Sequence, residues 1–156
     1  MTTTADPAPR RALTIVRQFA APPATVFRMW TDAAELAQWW GPKNFTNPVC
    51  EIDARPGGAI RIVMQAPDGA RYPMVGTYHE VVAPERLVFA NHAVDADGKQ
   101  LLEGLTTVTF AEHNGGTRMT LHTSAVALVA DAAKYLDGMD AGWGQSIDRL
   151  AAHLAA

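Results

Sequence analysis

The sequence predicts an α+β domain: a curved antiparallel sheet of seven strands around a long C-terminal helix, with two short helices after the first strand. Three observations predict it. Leu136, Met139, Trp143, Ile147, Leu150 and Leu154 recur at spacings of three or four, one apolar stripe along a helix face. Between residues 45 and 124, five clusters of turn residues separate β-rich runs. A proline pair followed by a capping signal places two short helices early in the chain.

Taken in order, residues 13–19 (LTIVRQF) form a β-rich run stopped by Ala21-Pro22-Pro23. Proline suits the first turn of a helix, so a short helix is expected over Pro23–Thr31. Asp32 and Glu35 have capping-box spacing, with Asp in place of Ser or Thr, and start a second helix. It ends at Trp39-Trp40, because Gly41-Pro42 cannot continue it. The five turns centre on Pro56-Gly57, Pro67-Asp68-Gly69, Pro84-Glu85, Asp97-Gly98 and Asn114-Gly115, and imply six successive strands in a meander. Asn114-Gly115 is the strongest, since a type I′ hairpin needs positive φ at both central positions. The last helix is expected from about residue 131 to 155, roughly 37 Å at about 1.5 Å per residue. Gly138, Gly142 and Gly144 fall inside it, each costing about 1 kcal/mol relative to Ala. Glycine there is expected to let the helix backbone approach a sheet or a ligand closely. A sheet wrapped around such a helix leaves room for a binding site.

Composition narrows the classes. Of the 156 residues, 48% are hydrophobic and four are tryptophan, as in a packed globular protein. Residues 11–156 read as one domain and residues 1–10 as a flexible arm. The net charge is −3, and Lys and Arg form no cluster beyond Arg10-Arg11, which argues against a nucleic-acid partner. The single cysteine, Cys50, excludes an internal disulfide and favours a reducing compartment. No apolar run approaches the roughly 20 residues of a membrane span, and residues 1–9 lack the apolar core of a signal peptide. A cytoplasmic protein without membrane insertion is the expectation.

Several local patterns, together and in order, resemble a known family. Ala21-Pro22-Pro23-Ala24-Thr25-Val26-Phe27-Arg28-Met29-Trp30 is similar to its first helix, and Trp39-Trp40-Gly41-Pro42 to the close of its second. Arg55-Pro56-Gly57-Gly58 stands before the third strand, and Pro84-Glu85-Arg86-Leu87-Val88-Phe89 opens the fifth. Gly115-Gly116-Thr117-Arg118-Met119-Thr120 and Gly142-Trp143 complete the set. Over roughly residues 11–156 the chain resembles the START-like (SRPBCC, Bet v-like) superfamily of helix-grip folds, in the branch of the activator of heat-shock protein 90 ATPase. The resemblance implies a hydrophobic cavity between sheet and C-terminal helix, and admits a homodimer. It does not choose among lipid carriers, polyketide binders, aromatase-cyclases and co-chaperones. The eukaryotic activator carries an additional N-terminal domain without counterpart in this sequence.

Strand alternation sorts side chains by face. Ile60, Ile62 and Met64 share one face, as do Leu87, Phe89 and Asn91, then Thr106, Val108 and Phe110, then Met119, Leu121 and Thr123. With the helical positions, this selects Trp40, Phe45, Met64, Tyr78, Phe89, Asn91, Thr106, Met119, Tyr135, Met139 and Trp143 as ligand-binding residues. His92, at the end of its strand, is placed at the cavity rim. The walls would be apolar and aromatic, with Tyr78, Asn91, Thr106 and Tyr135 as sparse polar points. Trp30 and Trp39 are read as structural.

Catalytic templates find little. His113 and His153 are expected to be solvated, and His79 and His122 to face outward, leaving His92 as the one histidine placed for chemistry. No HxxxH, HExxH or CxxC spacing supports a metal site, and no cofactor motif is present. Neither serine lies in a nucleophile elbow, and Cys50 has no adjacent base. Glu80 and Glu103 would have raised pKa values if they faced inward. Three readings follow: a binder of a small apolar or aromatic molecule, a cyclase-dehydratase-like enzyme using Tyr78, His92, Glu103 or Tyr135 for proton transfer, and a co-chaperone-like interaction module.

Overall fold

A computed structural model describes residues 9–155; the predicted arm lies outside them over residues 1–8. The elements are β1 (Arg10–Phe19), α1 (Pro23–Thr31), α2 (Ala33–Trp39), β2 (Thr46–Ile52), β3 (Ala59–Gln65), β4 (Arg71–Val82), β5 (Arg86–Val94), β6 (Gln100–His113) and β7 (Gly116–Ala127). A 3₁₀ turn (Ala130–Ala132), α3 (Ala133–Asp137) and α4 (Met139–Ala155) follow. All seven strands form one antiparallel sheet in the order β1-β7-β6-β5-β4-β3-β2. Six follow the meander, and β1 closes the far edge against β7 from Arg10 onward, earlier than the predicted residue 13. Register shifts at Thr46/Val49, Tyr78/Glu80 and Ala93/Val94 mark bulges, which bend the strands and help the sheet curve. Asn114 and Gly115 have φ of 50° and 80°, as the I′ hairpin requires.

The two short helices form where expected, and for the expected reasons. Pro22 and Pro23 start α1, which buries Val26, Phe27, Met29 and Trp30. Asp32 caps α2 by accepting from the N–H groups of Ala34 and Glu35. Only half of the predicted capping box exists. The Glu35 carboxylate does not turn back to Asp32 but meets His153 Nε2 of α4 at 2.6 Å. His153 is therefore part-buried and paired rather than solvated.

The C-terminal helix departs from its prediction. The stripe does not run unbroken: Gly138 (φ −93°, ψ 0°) ends α3, and α4 starts at Met139. Leu136, the first residue of the stripe, packs with Ala127 and Ala132 in a small satellite cluster under Leu101 and Leu102. A straight helix would carry Leu136 along the axis of α4; the break lets it turn onto the end of β7. Glycine, the weakest helix former after proline, is where such a break costs least. α4 is fastened to β1 by Arg11–Asp140, a two-pronged pair at 2.8 and 2.9 Å, and by Arg17–Asp148 at 2.7 Å.

The main core fills one end of the grip. Trp39 is fully buried, donates from Nε1 to the Met29 carbonyl at 3.1 Å, and stands edge-on to Trp30 at 4.7 Å between ring centres. Phe27 meets Phe110 edge-on at 5.4 Å. Beneath them Leu87, Val108, Met119, Leu121, Ile147 and Leu150 are wholly buried.

Candidate ligand cavity

Side-chain size along the strands decides where the grip is hollow. Pairing registers line up Tyr78, Phe89, Thr106 and Thr123 in one inward row. Two residues along each strand, the row becomes Gly76, Asn91, Gly104 and Ala125, and beyond that Met74, Ala93, Leu102 and Ala127. The floor drops where Phe89 gives way to Asn91 and Thr106 to Gly104. A cavity of about 460 Å³ opens above it, within the range of small-molecule sites.

Its roof comes from three segments. The loop after α2 supplies Trp40, Pro42 and Phe45; α3 supplies Tyr135 and Leu136; the first half of α4 supplies Met139, Trp143 and Ser146. Trp40 and Trp143 stand edge-to-face at 5.4 Å, and Phe45 leans on Tyr72 at 6.0 Å. Exposed Tyr72 and Tyr135 mark the mouth. The helix glycines do not serve close approach, as the sequence had suggested. A Cβ at Gly138 or Gly144 would meet nothing within 4 Å, and one at Gly142 only Pro42 Cγ at 3.9 Å. Gly138 and Gly142 instead line the cavity and keep its roof thin.

The loop that carries Trp40 is held by a residue outside the apolar stripe. Arg149 Nη1 donates to the carbonyls of Trp40, Gly41 and Pro42 at 3.0, 2.9 and 3.0 Å, and Nη2 to that of Gln38 at 3.2 Å. Burial draws the guanidinium down from its ordinary value. The Lys43 N–H adds a bond to Gln145 Oε1 at 3.0 Å. Gly41 has φ +96°, and a Cβ there would stand 2.9 Å from Met64 Sδ, so glycine lets both the turn and Met64 fit. No periodicity or motif pointed to Arg149, because its partners are backbone carbonyls more than a hundred residues away.

Seven of the twelve predicted ligand residues line the cavity: Trp40, Phe45, Met64, Asn91, Tyr135, Met139 and Trp143. Five do not. Tyr78, Phe89 and Met119 belong to the filled core, 3%, 4% and 0% exposed. Thr106 is buried in a 2.8 Å hydrogen bond with Thr123, and only Thr123 reaches the cavity. His92 lies on the opposite face of β5 from Asn91, 3.7 Å from Glu103 of β6. The error was one of phase: strand alternation turns the residue after Asn91 away from the grip. Thr123, Ser146 and the small residues Gly104 and Ala125 were not selected, since small side chains leave no positive signal.

The interior is chemically sparse. Among the described residues, no histidine, carboxylate or cysteine lines the cavity; its ionisable groups are Tyr72, Lys134 and Tyr135. Glu80 pairs with Arg86 and, like Glu103, is exposed. Burial first, then Cys50 and Asp53 nearby, push the Tyr78 phenol far above the usual tyrosine range, and it remains a neutral core residue. No three metal-binding side chains gather among the described residues. No described helix is long and apolar enough to cross a membrane.

A curved antiparallel sheet gripping a helix over an apolar hollow defines a START-like, helix-grip domain. The model of the Activator of Hsp90 ATPase homolog 1-like protein family matches residues 20–155, and the chain belongs to that family. Solved structures agree over nearly the whole chain. A Chromobacterium violaceum protein is similar at 28% identity and TM-score 0.78, covering 93% of this chain and 97% of that one. The AHSA1 protein of Silicibacter pomeroyi is similar at 29% and 0.76, covering 93% and 98%. A Mycobacterium smegmatis protein is similar at 29% and 0.72, covering 92% and 87%. A search of curated proteins finds no match.

Proposed function

We propose that this protein binds a small apolar or aromatic molecule in the cavity between β4–β7 and the α3–α4 segment. The observation that carries the reading is the cavity itself: about 460 Å³ left open inside a domain whose other half is packed full. An empty apolar hollow of this size forgoes packing that the fold achieves a few residues away, and a ligand would restore it. The cyclase-like reading is less well supported. Of its four proton-transfer candidates, only Tyr135 reaches the cavity, at the exposed mouth. The interaction-module reading would suit a collapsed grip with a broad apolar patch outside.

The test is a thermal-shift and calorimetric screen of fatty acids, sterols, polycyclic aromatics and flavonoids, run on the wild type and on Ala125→Leu. Ala125 lines the hollow at the edge of the small Ala127, Ala132 and Leu136 cluster, so leucine there adds its bulk beside the cavity. A ligand at about 100 times its Kd should stabilise the wild type by roughly 2.7 kcal/mol. Ala125→Leu should be as stable as the wild type or up to about 1 kcal/mol more so, with binding weakened at least tenfold. A ligand that binds both proteins equally well would lie elsewhere, and the cavity reading would fail.

A further inference from the structure

We propose that the ligand is a ring compound bearing a hydroxyl group, and that the Asn91 carboxamide reads that hydroxyl. This rests on the ligand-cavity reading and names the chemistry of the same site. Asn91 is the polar member of the floor row between Gly76 and Gly104. Its Oδ1 is buried and has no hydrogen-bond partner. Two other described side-chain atoms share that condition, Trp30 Nε1 and Asn47 Oδ1, and neither residue lines the cavity. Asn47 has a structural reason to be there, since its Nδ2 donates to the Ala37 and Trp40 carbonyls. No such bond explains Asn91.

The neighbouring strand is shaped around this amide. A Cβ at Gly104 would lie 2.9 Å from Asn91 Oδ1 and 3.3 Å from its Nδ2, so the carboxamide rests on the bare backbone of β6. A floor meant only to be apolar would be better served by leucine, without a buried polar atom to leave unsatisfied. The last torsion of asparagine is soft and roughly two-fold, so the amide can turn either end toward a ligand. A hydroxyl both donates and accepts, and complements either end. A carboxylate finds no cation on the floor: Lys134 stands on α3, its ammonium over the Tyr135 ring. The ring preference follows from the aromatic character of the walls, which Trp40, Phe45, Tyr72, Tyr135 and Trp143 line.

The experiment titrates naphthalene, 2-methylnaphthalene and 2-naphthol by calorimetry into the wild type and Asn91→Leu. Transfer from water alone ranks the hydrocarbons above the naphthol. The expected result reverses that order in the wild type, with 2-naphthol at least tenfold tighter. In Asn91→Leu the preference should collapse to twofold or less while naphthalene binds as well or better. Equal binding of the three by the wild type would overturn the hydroxyl proposal and leave the ligand cavity standing. A naphthol preference that survives Asn91→Leu would overturn the role of Asn91. Binding of none would overturn this proposal together with the cavity reading. The wild-type ranking decides the hydroxyl question even if the variant fails to fold.

Discussion

The two ends of the grip share one sheet and one helix, yet one is solid and the other hollow. At the filled end Ile147 and Leu150 of α4 press on Val108, Met119 and Leu121, while Trp30 and Trp39 close the gap from α1 and α2. At the hollow end Met139, Gly142 and Trp143 of the same helix look down on Asn91, Gly104 and Ala125. The inward phase of each strand is continuous through both. What changes is volume: the filled end sets large side chains against large, the hollow end sets glycine and alanine under a roof thinned by glycine. Periodicity tells which face of an element is inside; the sizes on facing rows tell whether the inside is full.

The sharpest way to break that comparison uses one substitution in both halves. Met119 is wholly buried, and Met119→Ala should cost about 2–5 kcal/mol in chemical denaturation, the range for deleting a packed core side chain. Met139 borders the hollow, and Met139→Ala enlarges a space already empty, so its cost should stay below about 1 kcal/mol. Ligand affinity should respond in the opposite order. Equal costs would mean that the hollow closes in solution and that the two ends are packed alike.

That both methionines looked alike in the sequence shows where legibility stopped. The strand count, the hairpin at Asn114-Gly115 and both short helices were readable, because turn chemistry and capping are local. Seven of the cavity-lining residues were readable from alternation and helical spacing. Met119, Phe89 and Tyr78 have the same phase as true lining residues, and only the partner across the gap distinguishes them. That partner comes from α1, α2 and the second half of α4, far off in the chain. The helix break at Gly138 was misread for a related reason: the stripe from Leu136 to Leu154 is continuous in sequence, while Leu136 answers to a different cluster. Long-range side-chain contacts such as the 2.6 Å hydrogen bond between His153 and Glu35 lie beyond local reading altogether.

A smaller effect should come from the fastening between the two ends. Arg149 sits in α4 between Ile147 and Leu150 of the filled end, but its guanidinium holds the loop that roofs the hollow. Arg149→Met keeps the apolar stem and removes the donors. The cost should be about 1.5–3 kcal/mol, typical of hydrogen bonds to a charged group. Binding of any cavity ligand should weaken as Trp40 loses its anchor. Arg149→Lys should rescue little, because one ammonium cannot span four carbonyls as a planar fork does. Full rescue by lysine would reduce Arg149 to a charge near the end of α2.

The smallest effect is a pH dependence confined to the filled end. Cys50 of β2 packs against that core, and burial pushes its thiol up to about 11 from 9.0. Both states hold the proton below pH 9. Between pH 9 and 11 the unfolded chain releases it while the folded chain keeps it, so the unfolded state binds fewer protons and stability falls as pH rises. Cys50 is only partly buried, and solvent screening should hold its share to no more than about 1 kcal/mol. Tyr78, raised still further, adds to the fall once the pH exceeds the ordinary tyrosine value. Urea unfolding at pH 8, 9, 10 and 11 should therefore show an alkaline loss that is smaller in Cys50→Ala, with the difference opening above pH 9. A ligand seated in the hollow should raise the whole curve without changing that difference, since neither Cys50 nor Tyr78 borders the cavity. If the ligand abolished the Cys50-dependent slope, the two ends would be coupled through the packing of β2 and β3 rather than independent.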